Sequence, residues 1–186
     1  MDNSERQILL QILESVKSGL QLEDTILIGC AYLKSKNLQS AVKGGLLRYK
    51  NERYLQYIIA KAIDVETSWI VNTEVEHHDV ELVNYLDSFP RHIFIEIKKW
   101  LSSEGEEELP DIIEDLKKLA SKRNSETMVM QIVLTVQAKQ EHDENLNFLL
   151  AQLGLDKKRN LIGYLAFPSV SSYHKNTEFA LIGLVP

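Results

Sequence analysis

The run His92-Ile-Phe-Ile-Glu-Ile-Lys-Lys-Trp100 sets a carboxylate, Glu96, and an amine, Lys98, two residues apart inside an otherwise apolar stretch. In a strand, His92, Phe94, Glu96, Lys98 and Trp100 share one face while Ile93, Ile95 and Ile97 line the other, which puts Glu96 and Lys98 roughly 6 to 7 Å apart. A charge inside an apolar setting is costly unless it is paired or binds a metal. The pair therefore marks either a strand with one wet face or a place where chemistry is done. The segment Trp69 to Tyr85 supplies partners, above all Asp79. Two carboxylates such as Asp79 and Glu96 are hard oxygen donors suited to Mg²⁺ or Mn²⁺. A cation held there activates water and stabilises charge on phosphoryl oxygens. Lys98 would orient or deprotonate that water, or neutralise developing charge.

The elements that must position these groups are legible from periodicity. Residues 69–85 read as two strands joined by a tight polar turn, with Asp79 opening the second. The turn Asp87-Ser-Phe-Pro90 separates that strand from the one carrying Glu96, giving an antiparallel meander. Before it, Glu52 to Ile63 places apolar residues at helical spacing, and after it Leu109-Pro110 opens a helix with Ile112, Ile113, Leu116 and Leu119 in phase. A strongly apolar strand, Met128 to Val136, follows. The order is helix, three strands, helix, strand.

This order, with an acidic residue early in the second strand and Glu-x-Lys in the third, resembles the PD-(D/E)XK nuclease superfamily over residues 50 to 136. Asp79 and Glu96-Ile97-Lys98 match the signature, Glu52 matches the extra acidic residue of many members, and Glu74 falls where some carry another. His78 stands where the signature has proline. The resemblance implies a restriction-endonuclease-like core. It also implies a metal site formed by Asp79, Glu96 and the Ile97 carbonyl, catalytic roles for Asp79, Glu96, Lys98 and Glu52, and cleavage of nucleic acid, DNA first. Divergent relatives have lost catalysis, so a silent fold serving as a protein or nucleic-acid interaction module is the alternative expectation. Glu52 also has an ordinary reading, as a carboxylate favourably placed at a helix start.

Other polar residues have plainer readings. Asp87 sits among turn formers, and Glu81 shares the strand face of Asp79 but reads as solvated. His77-His78-Asp79 lacks the second His/Cys cluster that a zinc site needs. His92, His142 and His174 are isolated and read as structural or surface residues. There is no Gly-x-Ser-x-Gly elbow, P-loop or Gly-x-Gly-x-x-Gly turn, and the single Cys30, in an apolar run, reads as a small buried hydrophobe.

With 186 residues, 44% of them hydrophobic, one core is expected and a second domain is not. The expected organisation is an α/β domain over 1–186, with a mixed sheet flanked by helices. It divides into a helical addition over 1–50, a core over 51–137, and a C-terminal helix and strands over 138–186. Those last strands either extend the sheet or build a homodimer surface. Glu5 to Val16 is amphipathic, no stretch suits a bilayer, and the first residues are polar and acidic, so no membrane partner and a cytoplasmic location are expected. Twenty-one basic against 27 acidic residues give a formal net charge of −6, which opposes nonspecific polyanion binding. Local clusters count against that total. Lys43, Arg48, Lys50 and Arg53, interleaved with Tyr49 and Tyr54, flank the Glu52 helix and are the candidate nucleic-acid contacts, and Lys157-Lys-Arg159 forms a second patch.

Overall fold

The computed structural model describes residues 1–34, 45–75, 77–86, 89–101, 107–172 and 176–186. Lys43, Gly44, Asp87, Ser88, His174 and most of the acidic connector after Trp100 lie outside them. Among the described residues five α-helices, α1 (Asn3–Lys34), α2 (Glu52–Glu66), α3 (Leu109–Lys122), α4 (His142–Gln152) and the short α5 (Lys157–Asn160), accompany six strands. The strands are β1 (Ile70–Val75), β2 (His78–Val83), β3 (His92–Trp100), β4 (Thr127–Ala138), β5 (Leu161–Pro168) and β6 (Thr177–Leu184). They form one open mixed sheet in the order β1-β2-β3-β4-β6-β5. β1, β2 and β3 are the expected antiparallel meander, and β4 runs parallel to β3 after the α3 crossover. The two C-terminal strands extend the sheet, with β6 seated between β4 and β5.

Alternation along β3 divides the core. Ile93, Ile95 and Ile97 join Leu9, Ile12, Leu13, Val16 and Leu20 of α1 and Leu55, Ile59 and Ile63 of α2 on one side of the sheet. On the other side, Trp100 packs with Ile112 and Leu116 of α3 and with Leu146, Leu149 and Leu150 of α4. α2 starts cleanly because the Asn51 side chain accepts the Tyr54 N–H at 2.8 Å, and Pro110 occupies the first turn of α3. Among the described residues no helix is long and apolar enough to cross a membrane. Two expectations are corrected here. Cys30 is exposed, because the apolar run around it continues a long helix past the point where α2 and the sheet cover it. Glu81 is buried, held by the His92 ring (2.9 Å) and the Asn72 amide (3.4 Å).

The helical addition is latched to the sheet by one carboxylate. Asp24 of α1, only 1% exposed, accepts the N–H groups of Val170 (2.8 Å) and Ser171 (3.2 Å) and the hydroxyl of Ser169 (3.2 Å). It also accepts the Ser171 hydroxyl, whose oxygen takes the Leu46 N–H at 2.7 Å. Next to Leu46, Gly45 has φ 81° and lies so close to the Phe179 ring that a Cβ would sit 2.7 Å from it, so both conformation and space call for glycine. Removing the Asp24 carboxylate strands several buried donors. Asp24→Ala should therefore cost about 3 kcal/mol, seen as a fall of about 6 to 12 °C in Tm, whereas the exposed Asp64→Ala should change stability by less than about 0.5 kcal/mol.

Candidate active site

The β2–β3 ladder ends at Val80 opposite Ile95. Beyond it the Asp79 carboxylate takes the place of a backbone acceptor, receiving the Ile97 N–H at 2.7 Å. The Asp79 carbonyl in turn accepts the side-chain N–H of the buried Gln56 on α2 at 2.5 Å. Asp79 is thus fixed from both sides, at the point where the two strands stop pairing. Glu96, one residue before Ile97, is 3% exposed and faces α3. Its Oε1 meets the His78 Nδ1 at 2.6 Å and the Lys118 ammonium. Lys98 lies with its Nζ 3.7 Å from Glu52 at the start of α2 and 3.5 Å from Asp115 of α3. Helices on opposite faces of the sheet therefore reach the same end of β3.

The electrostatics follow from this gathering of charge. Burial pushes the Asp79 carboxyl up to about 6; the Ile97 N–H and Lys98 lower it, while Glu96 and Glu52 add to the rise. Burial also raises Glu96, against the opposing pull of Lys118 and Lys98. Asp115 is raised by burial as well, with Lys98 and Lys118 offsetting part of it. For Lys98 burial works downward, but Asp115, Glu52, Asp111 and Asp79 outweigh it and hold the ammonium above its ordinary value. Lys98 is consequently a cation at neutral pH.

Asp79, Glu96, Lys98 and Glu52 come together, and the Ile97 backbone is held between them. Glu74 does not join them: it is an exposed residue 3.7 Å from Arg53, which is also exposed. Of the basic candidates, Lys50 lies over the Tyr54 ring at 4.6 Å and its carbonyl accepts from Lys99 at 2.9 Å, while Arg48 sits in the short helical turn Leu46–Tyr49 just before it. Three members of the cluster were not among the sequence candidates. Asp115 and Lys118 flank the buried stripe Ile112, Leu116 and Leu119 on α3, and their three-residue spacing beside that stripe was the available signal. His78 was weighed only as a zinc ligand, yet its ring holds Glu96. Strict alternation would have sent it to the face opposite Asp79, but His77, with φ 68°, turns the chain so that the ring lies against Phe94 with centroids 4.7 Å apart.

Among the described residues no group of three or more His, Cys, Asp or Glu side chains converges as a metal centre. No family model, curated protein or solved structure matches the chain.

The raised Asp79 value carries a pH signature. An ordinary Asp titrates near 3.8 and this one near 6, so between those values the folded state binds more protons than the unfolded one. Its contribution therefore favours the fold more at pH 4 than at pH 7, and it is lost as pH rises through about 6. Asp79→Asn should remove this component and raise the metal-free Tm at pH 7 relative to wild type. Parallel Tm curves for the two proteins from pH 4 to 7 would contradict the assignment.

Proposed function

We propose that the chain is a divalent-cation-dependent phosphodiesterase acting on nucleic acid, DNA in the first instance, built on a restriction-endonuclease-like core. The observation that carries this reading is the meeting of Asp79, Glu96 and Lys98 at the end of the β2–β3 ladder, with Glu52 brought in by α2. Mg²⁺ and Mn²⁺ keep several waters and are bound through one or two carboxylates plus substrate phosphate, so a site with fewer than three side-chain ligands fits them. Asp79 and Glu96, with the Ile97 carbonyl, would hold the ion. When bound, the ion supplies an activated water and charge stabilisation at the phosphoryl oxygens.

The protein's own groups divide the remaining work. Gln56 and the Ile97 N–H fix Asp79 so that its carboxylate is pre-oriented. Lys98, held cationic by four carboxylates, serves as an electrostatic group toward charge developing on phosphate. Glu52 and Asp115 hold its ammonium in position. Arg48, Lys50 and Arg53, before and within the first turn of α2, offer phosphate contacts beside the site, offsetting locally the net charge of −6.

The second reading is a silent nuclease-like fold used as an interaction module. It is favoured by Glu96, whose Oε1 is already engaged by two protein donors. Cleavage of labelled single- and double-stranded DNA and RNA with Mn²⁺ or Mg²⁺ separates the two. The enzyme should stop with chelator, lose essentially all activity in Asp79→Asn, and lose about 10² or more in rate in Lys98→Met with the fold intact. Absence of cleavage of any of these substrates under every metal condition would leave the module as the better account.

A further inference from the structure

Lys118 stands apart from the rest of the cluster. Its ammonium rests on Oε1 of Glu96 and on the His77 carbonyl, so from α3 it spans the β1–β2 turn and the centre of β3. Lys98, by contrast, has Glu52 and Asp115 as its close partners. Among the described residues the end of the sheet gathers five carboxylates, Glu52, Asp79, Glu96, Asp111 and Asp115, against the ammonium groups of Lys98 and Lys118, a formal excess of three negative charges. A divalent cation offsets most of that excess.

We propose that Lys118 is the built-in counter-cation of this site, an ammonium that competes with a divalent cation for Glu96 and so sets how tightly metal is taken. The inference rests on the nuclease reading for the identity of the metal ligands. Three features make Lys118 able to yield. Its side chain is 31% exposed and that of Glu96 only 4%, so the amine has a path to water that the carboxylate lacks. Lysine is a hydrated point charge on a flexible stem, without the bidentate fork that would lock an arginine in place. Asp115, one helical turn earlier, interacts with Lys118 and can keep its charge compensated after it leaves Glu96. The His78 ring remains on Oε1 in either state, which holds the carboxylate's orientation while the cation partner changes.

Isothermal titration of the metal-free full chain with Mn²⁺ tests the proposal without substrate. Removing a positive charge from a shared carboxylate should tighten Mn²⁺ binding, so Lys118→Met should lower Kd by about tenfold or more, while Lys118→Arg, whose guanidinium fork holds Glu96 more firmly, should leave Kd no lower than in wild type. Adding Asp79→Asn to Lys118→Met should abolish the gain, which ties it to this site. If Lys118→Met does not fold, as judged by circular dichroism, Lys118→Gln gives the same comparison with the hydrogen-bonding reach retained. Wild-type binding that depends on Asp79 but is unchanged or weakened in Lys118→Met would overturn the role of Lys118 and leave the nuclease reading standing. No Mn²⁺ binding in either protein would overturn both, and binding seen only in Lys118→Met would be the strongest support.

Discussion

A carboxylate buried in the middle of a sheet is the constraint around which this end of the molecule is arranged. Glu96 is 3% exposed on a strand whose neighbours Phe94 and Ile95 are also buried. An ionised group in such a place costs several kcal/mol unless donors replace the water it has lost. Those donors come from elements far apart in the chain: the His78 ring from the hairpin turn and the Lys118 ammonium from the crossover helix. α3 must therefore lie where its apolar stripe meets Val129 and Val133 and its polar flank meets Glu96. The parallel pairing of β3 with β4, enforced by that crossover, meets this requirement.

Asp24 is another buried carboxylate, and the contrast with Glu96 is informative. Asp24 is saturated by backbone N–H groups and serine hydroxyls, neutral donors that have no reason to exchange. That arrangement suits a latch between α1 and the β5–β6 loop. Glu96 is instead met by an imidazole and an ammonium, and Asp79, a residue away from the ladder's end, carries a carboxyl pushed up to about 6. Perturbed titratable groups cluster at functional sites, which is what sets the Glu96 end of the sheet apart as a candidate site. Burial alone does not separate the two carboxylates; the chemistry of their partners does.

Pattern along the chain was enough for most of the fold. The three-strand meander, the helices on either side of it, the strand after α3 and the two C-terminal strands follow from alternation and from three- and four-residue apolar spacing, with Pro110 as a helix-start signal. The Glu-x-Lys spacing in an apolar run singled out Glu96 and Lys98, and Asp79 was marked by its place at the opening of the second strand of the meander. These are local properties. A strand's period of two and a helix's period of 3.6 are written into backbone geometry, so residue order alone carries them.

What depended on packing was left to the tertiary structure. No local signal states that β6 inserts between β4 and β5, because pairing order is chosen by which faces can be buried together. Nor does one state that Asp115 and Lys118 turn toward β3, that Glu81 is covered and takes His92 as its partner, or that Cys30 emerges into solvent. The sequence by itself determined which side chains could do chemistry and on which elements they ride. Only the tertiary structure decided which of them meet, because the charge balance around Glu96 is a sum over elements separated in the chain, and distance in space rather than distance in sequence sets every term in it.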